Sequence, residues 1–180
     1  MFPILKVQTK GSTGNIEGTL VVDPQGRLLN VMRYDTSKTK PVYGLALAFA
    51  VNTEHPEQSL IYDHAIRLPG NLSKFTIKQD PVSGLYYTLL TRITNEKTPG
   101  MRNLLLLMVS ENLEDWELVE DLLDYRHMSP QEVGFQYVDF EIEGNDIIYL
   151  CRTAINKAEN YHNSNYITFH RITNFRERGK

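Results

Sequence analysis

Three segments of the chain repeat one pattern, and this repeat constrains the fold more than any other feature. Each segment has an apolar run, a short turn built on Asp-Pro or Gly-Asn, and a second apolar run; they are residues 17–33, 74–92 and 136–152. Each ends in an arginine, and these lie 59 and 60 positions apart: Arg33, Arg92 and Arg152. Because such turns join antiparallel strands rich in Val, Ile, Leu, Phe and Tyr, each segment predicts a β-hairpin.

Each hairpin is followed by further strand-like runs, so the repeating unit of about 60 residues carries up to four strands. The expected third strands are residues 43–51, 102–110 and 165–171, and the expected fourth strands are residues 58–62 and 117–122. Four antiparallel strands per repeat are typical of a propeller blade. We therefore predict an all-β partial β-propeller of three four-stranded blades, half of a six-bladed propeller, over about residues 15–63, 73–123 and 135–175. A β-sandwich is the alternative, although it requires no constant period.

The two ends of the chain do not match the repeat. Residues 172–180 are too short and charged for a convincing outer strand, whereas residues 3–9 form a spare one. Three blades leave sheet faces and edges uncovered. Two arrangements remain open: a fragment that lacks N-terminal blades, or a homodimer in which residues 3–9 of one copy complete the third blade of another.

Composition narrows the possible partners. The formal net charge is −3 and no Lys/Arg run is present, which argues against a nucleic-acid partner. No apolar stretch approaches the ~18 residues of a membrane span. The single cysteine, Cys151, excludes an internal disulfide, and the histidines lack metal-ligand spacing, so we expect no metal or cofactor. No export signal is visible, and localisation stays open, with secretion or the periplasm compatible with a fragment.

Propeller geometry brings several polar residues to one rim. The start of an inner strand and the end of the second strand meet on the same face, which joins Glu17 with Arg33, Lys74 with Arg92, and Gln136 and Tyr137 with Arg152. The loops after the second strands rim this face, and one of them offers His162 for sugar hydroxyls. Since arginine binds carboxylates through a planar fork, the rim predicts an acidic sugar or glycoconjugate as partner. A structural role for the three registered arginines is equally compatible with the pattern.

The same residues resemble sialidases. Residues 17–33 are similar to the sialidase segment that carries the active-site glutamate and one arginine of the carboxylate-binding triad. Residues 102–116 resemble the next signature, in which a triad arginine opens a strand that leads to an Asp-box, and residues 134–137 stand where sialidases place a tyrosine nucleophile. Residues 133–139 and 165–171 are also similar to the C-terminal half of uncharacterised bacterial sialidase-like proteins with BNR, or Asp-box, repeats.

This resemblance implies a sialidase-like glycoside hydrolase, an exo-sialidase when complete. Glu17 would be the base, Tyr137 the nucleophile, and Arg33 and Arg102 two of the groups that bind the substrate carboxylate. The chain departs from the sialidase pattern in three ways. Asn112 and Glu114 replace the Asp and Gly of the Asp-box, and alignment of the repeats by their closing arginines matches Glu17 with Gln136 rather than with Tyr137. The leaving-group acid is also unassigned, since Asp35 and Asp139 are candidates only because they lie near the face.

Two other functions remain open. One is a non-catalytic propeller that binds a carbohydrate or a protein on the same face. The other is a five-bladed-propeller glycosidase that uses inner-strand carboxylates, for which Glu17 alone is a thin set. Because the Asp-box is degenerate and the acid is missing, the sequence favours binding over catalysis for this chain in isolation.

Overall fold

A computed structural model of the protein describes residues 14–35, 43–70 and 72–178. In these residues the chain is all-β, with strands that form three antiparallel sheets. The strands are β1 (Gly14–Val22), β2 (Leu28–Asp35), β3 (Leu45–Ala50), β4 (Ile61–Arg67), β5 (Thr76–Gln79), β6 (Tyr86–Thr91), β7 (Leu104–Ser110), β8 (Glu117–Asp124), β9 (Gly134–Glu143), β10 (Asp146–Ala154) and β11 (Tyr166–Ile172). The spare strand predicted at residues 3–9 lies outside the described residues.

The sheets succeed one another along the chain. Sheet 1 is β1-β2-β3-β4, sheet 2 is β5-β6-β7-β8, and sheet 3 is β9-β10-β11. The prediction of four-stranded antiparallel sheets is therefore confirmed for the first two repeats. It is wrong for the third, which has three strands among the described residues, and the described sheets do not close into a ring.

Among the described residues the third sheet has three strands, because the chain turns away from it after β11. Asn174 adopts a left-handed conformation, and residues Phe175–Glu177 form a single 3-10 turn instead of a strand. The Phe175 ring is buried edge-on against Tyr87 of sheet 2, with ring centroids 4.9 Å apart. Phe175 thus connects the end of sheet 3 to sheet 2.

Sheet 2 lies between the other two sheets, and its sequence shows why. Every residue of β6 is buried, and β7 is buried along almost its whole length. Leu106 packs into the apolar cluster with Val31 of sheet 1, whereas Leu107 packs into the cluster with Phe140 of sheet 3. A strand that alternates between two cores reads as a continuous apolar run, as in residues 104–109.

The three sheets meet at their first strands, since β5 contacts both β1 and β9. Side-chain to backbone hydrogen bonds join sheets 2 and 3: the Thr76 hydroxyl donates to the Val138 carbonyl at 3.1 Å, and the Thr91 hydroxyl donates to the Phe135 carbonyl at 2.6 Å. This arrangement brings the starts of β1 and β9 toward a common axis.

Among the described residues, no helix is long and apolar enough to cross a membrane.

Candidate functional site

Glu17 and Arg33 form an ion pair at one end of sheet 1. The Arg33 side chain is largely buried, and its Nη1 donates to Glu17 Oε2 at 2.7 Å. Its Nη2 donates to Asp35 Oδ2 at 3.3 Å. The β1–β2 hairpin therefore brings together the pair that its sequence suggested, and it adds a second carboxylate beside the arginine.

Glu17 is the extra residue of a β-bulge. Ile16 pairs with Arg33 and Gly18 pairs with Met32, so Glu17 has no partner on β2, and its φ is 62°. This left-handed conformation is unfavourable for a residue with a side chain. The bulge aims the Glu17 side chain toward Arg33.

Tyr137 occupies the equivalent position in sheet 3. Gln136 pairs with Arg152, the register shifts immediately after it, and the φ of Tyr137 is 54°. The expected alignment of Gln136 with Glu17 is wrong, because the turns of the two hairpins differ in length and equal counting back from the arginines does not reach equal positions. The structural equivalent of Glu17 is Tyr137.

Arg102 joins this site from sheet 2. It lies just before β7, where its carbonyl accepts a hydrogen bond from the Phe135 amide at 2.8 Å. Its side chain is 8% exposed, and its Nε and Nη1 find no hydrogen-bond acceptor among the described residues. The guanidinium carbon lies 5.8 Å from the ring centroid of Tyr137 and 6.0 Å from that of Tyr161.

The environment of Arg102 is costly for its positive charge. Burial lowers the pKa of the Arg102 guanidinium from its ordinary value, and the nearby positive charge of Arg33 lowers it further. Tyr137 and Tyr161 oppose this change in pKa. A buried cation that lacks a carboxylate partner is energetically costly, and no ion pair between Arg102 and another of the described residues is found.

Arg152 completes the cationic group around Tyr137. Its guanidinium carbon lies 5.1 Å from the Tyr137 ring centroid, within the range of a cation–π contact. Its Nη2 also donates to the His162 carbonyl at 3.4 Å. Tyr137 thus contacts arginines from two sheets.

Two predicted site residues do not join the group through their side chains. Arg92 is exposed and has no ion pair in the part of the chain that the structure describes. The reason is that β5 begins only at Thr76, so this hairpin lacks the bulged extension of the other two. The His162 ring is exposed beside Asn163, and only the His162 carbonyl contacts the arginine group.

Sequence reasoning missed Tyr161 and the contact of Gln136 with the Tyr161 loop. Gln136 is fully buried, and its Nε2 donates to the His162 carbonyl at 2.7 Å and to Ser164 Oγ at 2.9 Å. A Cβ on Gly134 would lie 2.4 Å from the Tyr161 carbonyl, so this strand position requires glycine. A glycine at the start of a predicted strand was the available signal that another backbone approaches closely.

The segment that resembles a degenerate Asp-box forms a compact turn between β7 and β8. Ser110 Oγ accepts hydrogen bonds from the amides of Asn112 and Leu113, and Asn112 Oδ1 accepts from two further amides. The Trp116 indole donates to the Leu113 carbonyl at 2.9 Å. This turn lies at the opposite end of β7 from Arg102, away from the arginine group.

The remaining candidate groups contribute no catalytic acid or metal site among the described residues. Asp35 is engaged by Arg33, and Asp139 lies on the outer side of sheet 3 beside Phe169. No cluster of three His, Cys, Asp or Glu residues suitable for a metal is found in residues 14–35, 43–70 and 72–178. Cys151 is buried, and burial raises the pKa of its thiol to about 11, which keeps it unreactive.

Three sheets that meet at their first strands, with a polar rim at one end, match the fold of propeller glycoside hydrolases. Among solved structures, the chain is similar to the GH93 α-L-arabinofuranosidase of Fusarium graminearum in complex with arabinobiose. The TM-score is 0.60 at 11% identity, over 95% of this chain and 49% of that one. The Penicillium chrysogenum α-L-arabinanase complexed with arabinobiose gives a TM-score of 0.56 at 12% identity, over 92% of this chain and 48% of that one.

A GH43 β-1,3-galactosidase is also similar, with a TM-score of 0.52 at 16% identity, over 92% of this chain and 32% of that one. The chain thus spans about half the length of the arabinofuranosidase and the arabinanase that it matches. No protein-family model matches the sequence, and the comparison with curated proteins gives no match. The expected all-β fold of antiparallel sheets is confirmed and matches these propeller glycosidases, whereas the more specific sialidase resemblance has no counterpart among these structures.

Proposed function

We propose that the chain is part of a propeller glycoside hydrolase and that its rim binds the carboxylate of an acidic sugar. The observation that carries the proposal is Arg102, a buried guanidinium whose Nε and Nη1 have no acceptor among the described residues. Buried donors of this kind are normally satisfied, and the carboxylate of a ligand would supply an acceptor that the described residues do not. Arg33 and Arg152 add positive charge around the same point.

For catalysis, we propose that Tyr137 is the nucleophile and Glu17 the base. The Tyr137 oxygen would form a bond to the anomeric carbon as the bond to the leaving-group oxygen breaks, and Glu17 would take the phenol proton, because a neutral phenol is a weak nucleophile. Glu17 Oε2 is held by Arg33, which leaves Oε1 for the proton. The left-handed conformation of both residues supports this proposal, since backbone strain concentrates at functional sites.

A second function is a non-catalytic site for the same ligand. It is favoured by one observation: the described residues offer no free carboxyl group beside Tyr137 that would protonate a leaving group, since Asp35 already accepts from Arg33. Because the chain spans half of its structural neighbours, further blades would have to supply that acid. We propose that these blades, from a longer chain or a second copy, complete a six-bladed ring in which residues 1–180 form one partial-propeller domain.

The two functions are separated by a panel of fluorogenic glycosides that includes a sialoside, a uronide and an arabinoside, with binding measured in parallel by calorimetry. The proposed hydrolase turns over the acidic glycosides, and Tyr137→Phe removes turnover while binding persists. Binding of the acidic glycosides without turnover favours the non-catalytic site. Binding or turnover of the arabinoside alone would contradict carboxylate recognition.

A further inference from the structure

A cavity opens next to the segment that carries Arg102. It has a volume of about 240 Å³ and lies between the loops that come after β6 and β8. The side chains that line it include Thr94, Asn95, Thr98, Met101, Asn103 and Arg126. The neighbours of Arg102 in the chain, Met101 and Asn103, both line this cavity.

The cavity presents hydrogen-bonding groups that the protein does not itself satisfy. Asn103 is 4% exposed, and its Oδ1 accepts from the Thr94 hydroxyl at 3.2 Å. No hydrogen bond from its Nδ2 to another of the described residues is found, so this donor remains available to a ligand. Asn95 uses only Oδ1 within its loop, where it accepts from the Lys97 amide at 2.9 Å.

The charge of the cavity favours a neutral ligand. Arg126 Nε donates to Asp124 Oδ1 at 2.8 Å, and Arg126 also lies within ion-pair distance of Asp121. The hydrogen bonds from Arg126 lower the pKa of the Asp124 carboxyl to about 2, so Asp124 stays ionised at neutral pH. Its negative charge then offsets the positive charge of Arg126. No Asp or Glu side chain of the described residues lines the cavity. Beside Arg126, its polar groups are the amides and hydroxyls of Asn and Thr residues, and they adjoin the apolar surfaces of Met101 and Pro130.

Amide and hydroxyl groups around a small apolar surface suit a sugar ring, which has hydroxyls at its edge and C–H groups on its faces. We propose that this cavity is a subsite for a neutral sugar unit joined to the acidic sugar, so that the ligand is an oligosaccharide. This inference rests on the proposed carboxylate site at Arg102. Met101 connects the two, because it also lines the small cavity beside Arg102.

The test compares two probes by calorimetry: the methyl glycoside of N-acetylneuraminate, and the disaccharide in which N-acetylneuraminate is linked to galactose. We expect the wild-type protein to bind the disaccharide about tenfold more tightly, a difference typical of a few added hydrogen bonds. Thr98→Trp fills the cavity and should remove this preference without changing the affinity for the methyl glycoside. Asn95→Ala, a smaller change, should reduce the preference, and Ser129→Trp, outside the cavity, should leave it intact.

The outcomes separate the two proposals. Equal affinity of the wild-type protein for both probes overturns the subsite while the carboxylate site stands, and so does a disaccharide preference that survives both Thr98→Trp and Asn95→Ala. Failure of both probes to bind the wild-type protein overturns the carboxylate site, and the subsite with it.

Discussion

Glu17 and Tyr137 occupy the same position in two different sheets. Each is the extra residue of a bulge in a first strand, and each has a left-handed backbone, with φ of 62° and 54°. In each hairpin the residue before the bulge pairs with an arginine, Arg33 in sheet 1 and Arg152 in sheet 3. The repeat therefore delivers a carboxylate and a phenol to one rim by a single structural device.

The bulge at Glu17 predicts an unusual order of stability between two variants. Both Glu17→Ala and Glu17→Gly remove the carboxylate, but only glycine adopts a φ of 62° without cost. We expect the glycine variant to be more stable by about 1 kcal/mol in urea denaturation. Thr19 of the same strand, where the backbone is regular, is the control: Thr19→Ala should be more stable than Thr19→Gly. An alanine variant at position 17 that matches or exceeds the glycine variant would contradict the strained bulge.

Gln136 should control the loop that carries Tyr161. Gln136→Met keeps the side-chain volume but removes the hydrogen bonds to the His162 carbonyl and Ser164 Oγ. We expect faster hydrogen–deuterium exchange in residues 155–165, with the core of β9 and β10 unchanged. Gln131→Met, at an exposed position, is the control. Unchanged exchange in the loop would show that other contacts hold it.

The fully buried Asp80 should make stability depend on acid pH. Arg176 holds it with a fork, Nε to Oδ2 at 2.7 Å and Nη2 to Oδ1 at 2.6 Å, and this contact, opposed by burial, lowers the pKa of the Asp80 carboxyl well below its ordinary value. The stabilisation is present above the unfolded-state pKa of about 3.9 and is lost as the pH falls through the folded-state pKa. We expect Asp80→Asn to cost about 3 kcal/mol at pH 7 and less below pH 4, measured by urea denaturation.

The matched control is Asp63→Asn, because Asp63 is an exposed carboxylate paired with Arg27. An exposed pair contributes little, so this variant should change the free energy of unfolding by less than about 1 kcal/mol. Two results would show that the Asp80–Arg176 ion pair does not join sheet 2 to the C-terminal turn after sheet 3. One is an equal loss of unfolding free energy in the two variants, and the other is a loss in Asp80→Asn that stays the same when the pH is lowered.

Local patterns were sufficient to predict the hairpins. Turn residues and apolar runs are short-range signals, and they predict a hairpin with Gly26 or Gly144 at its turn, each with a positive φ. The charge and short length of residues 172–180 also argued against a further strand there, but the position of Phe175 was not predictable in this way. Whether Phe175 continues a strand or docks against Tyr87 depends on a contact between residues far apart in the chain.

The site was predictable only where its contacts lie within one hairpin. The contact of Glu17 with Arg33 follows from one hairpin, whereas the match of Glu17 with Tyr137 depends on bulges that no local pattern specifies. Arg92 ends its hairpin as Arg33 does, yet it stays outside the group. Tyr161 approaches Arg102 from a loop that Gln136 contacts from another strand, and this arrangement depends on residues far apart in the chain.

The central claim is that the buried Arg102 binds a carboxylate, and a calorimetric titration tests it directly. The wild-type protein and Arg102→Met are titrated with the methyl glycoside of N-acetylneuraminate and with its methyl ester, and Arg67→Met, an exposed arginine of β4, is the control. We predict that the wild-type protein and Arg67→Met bind the acid at least about tenfold more tightly than the ester, and that Arg102→Met loses this difference. Equal binding of acid and ester by the wild-type protein, or a difference that persists in Arg102→Met, would contradict the account.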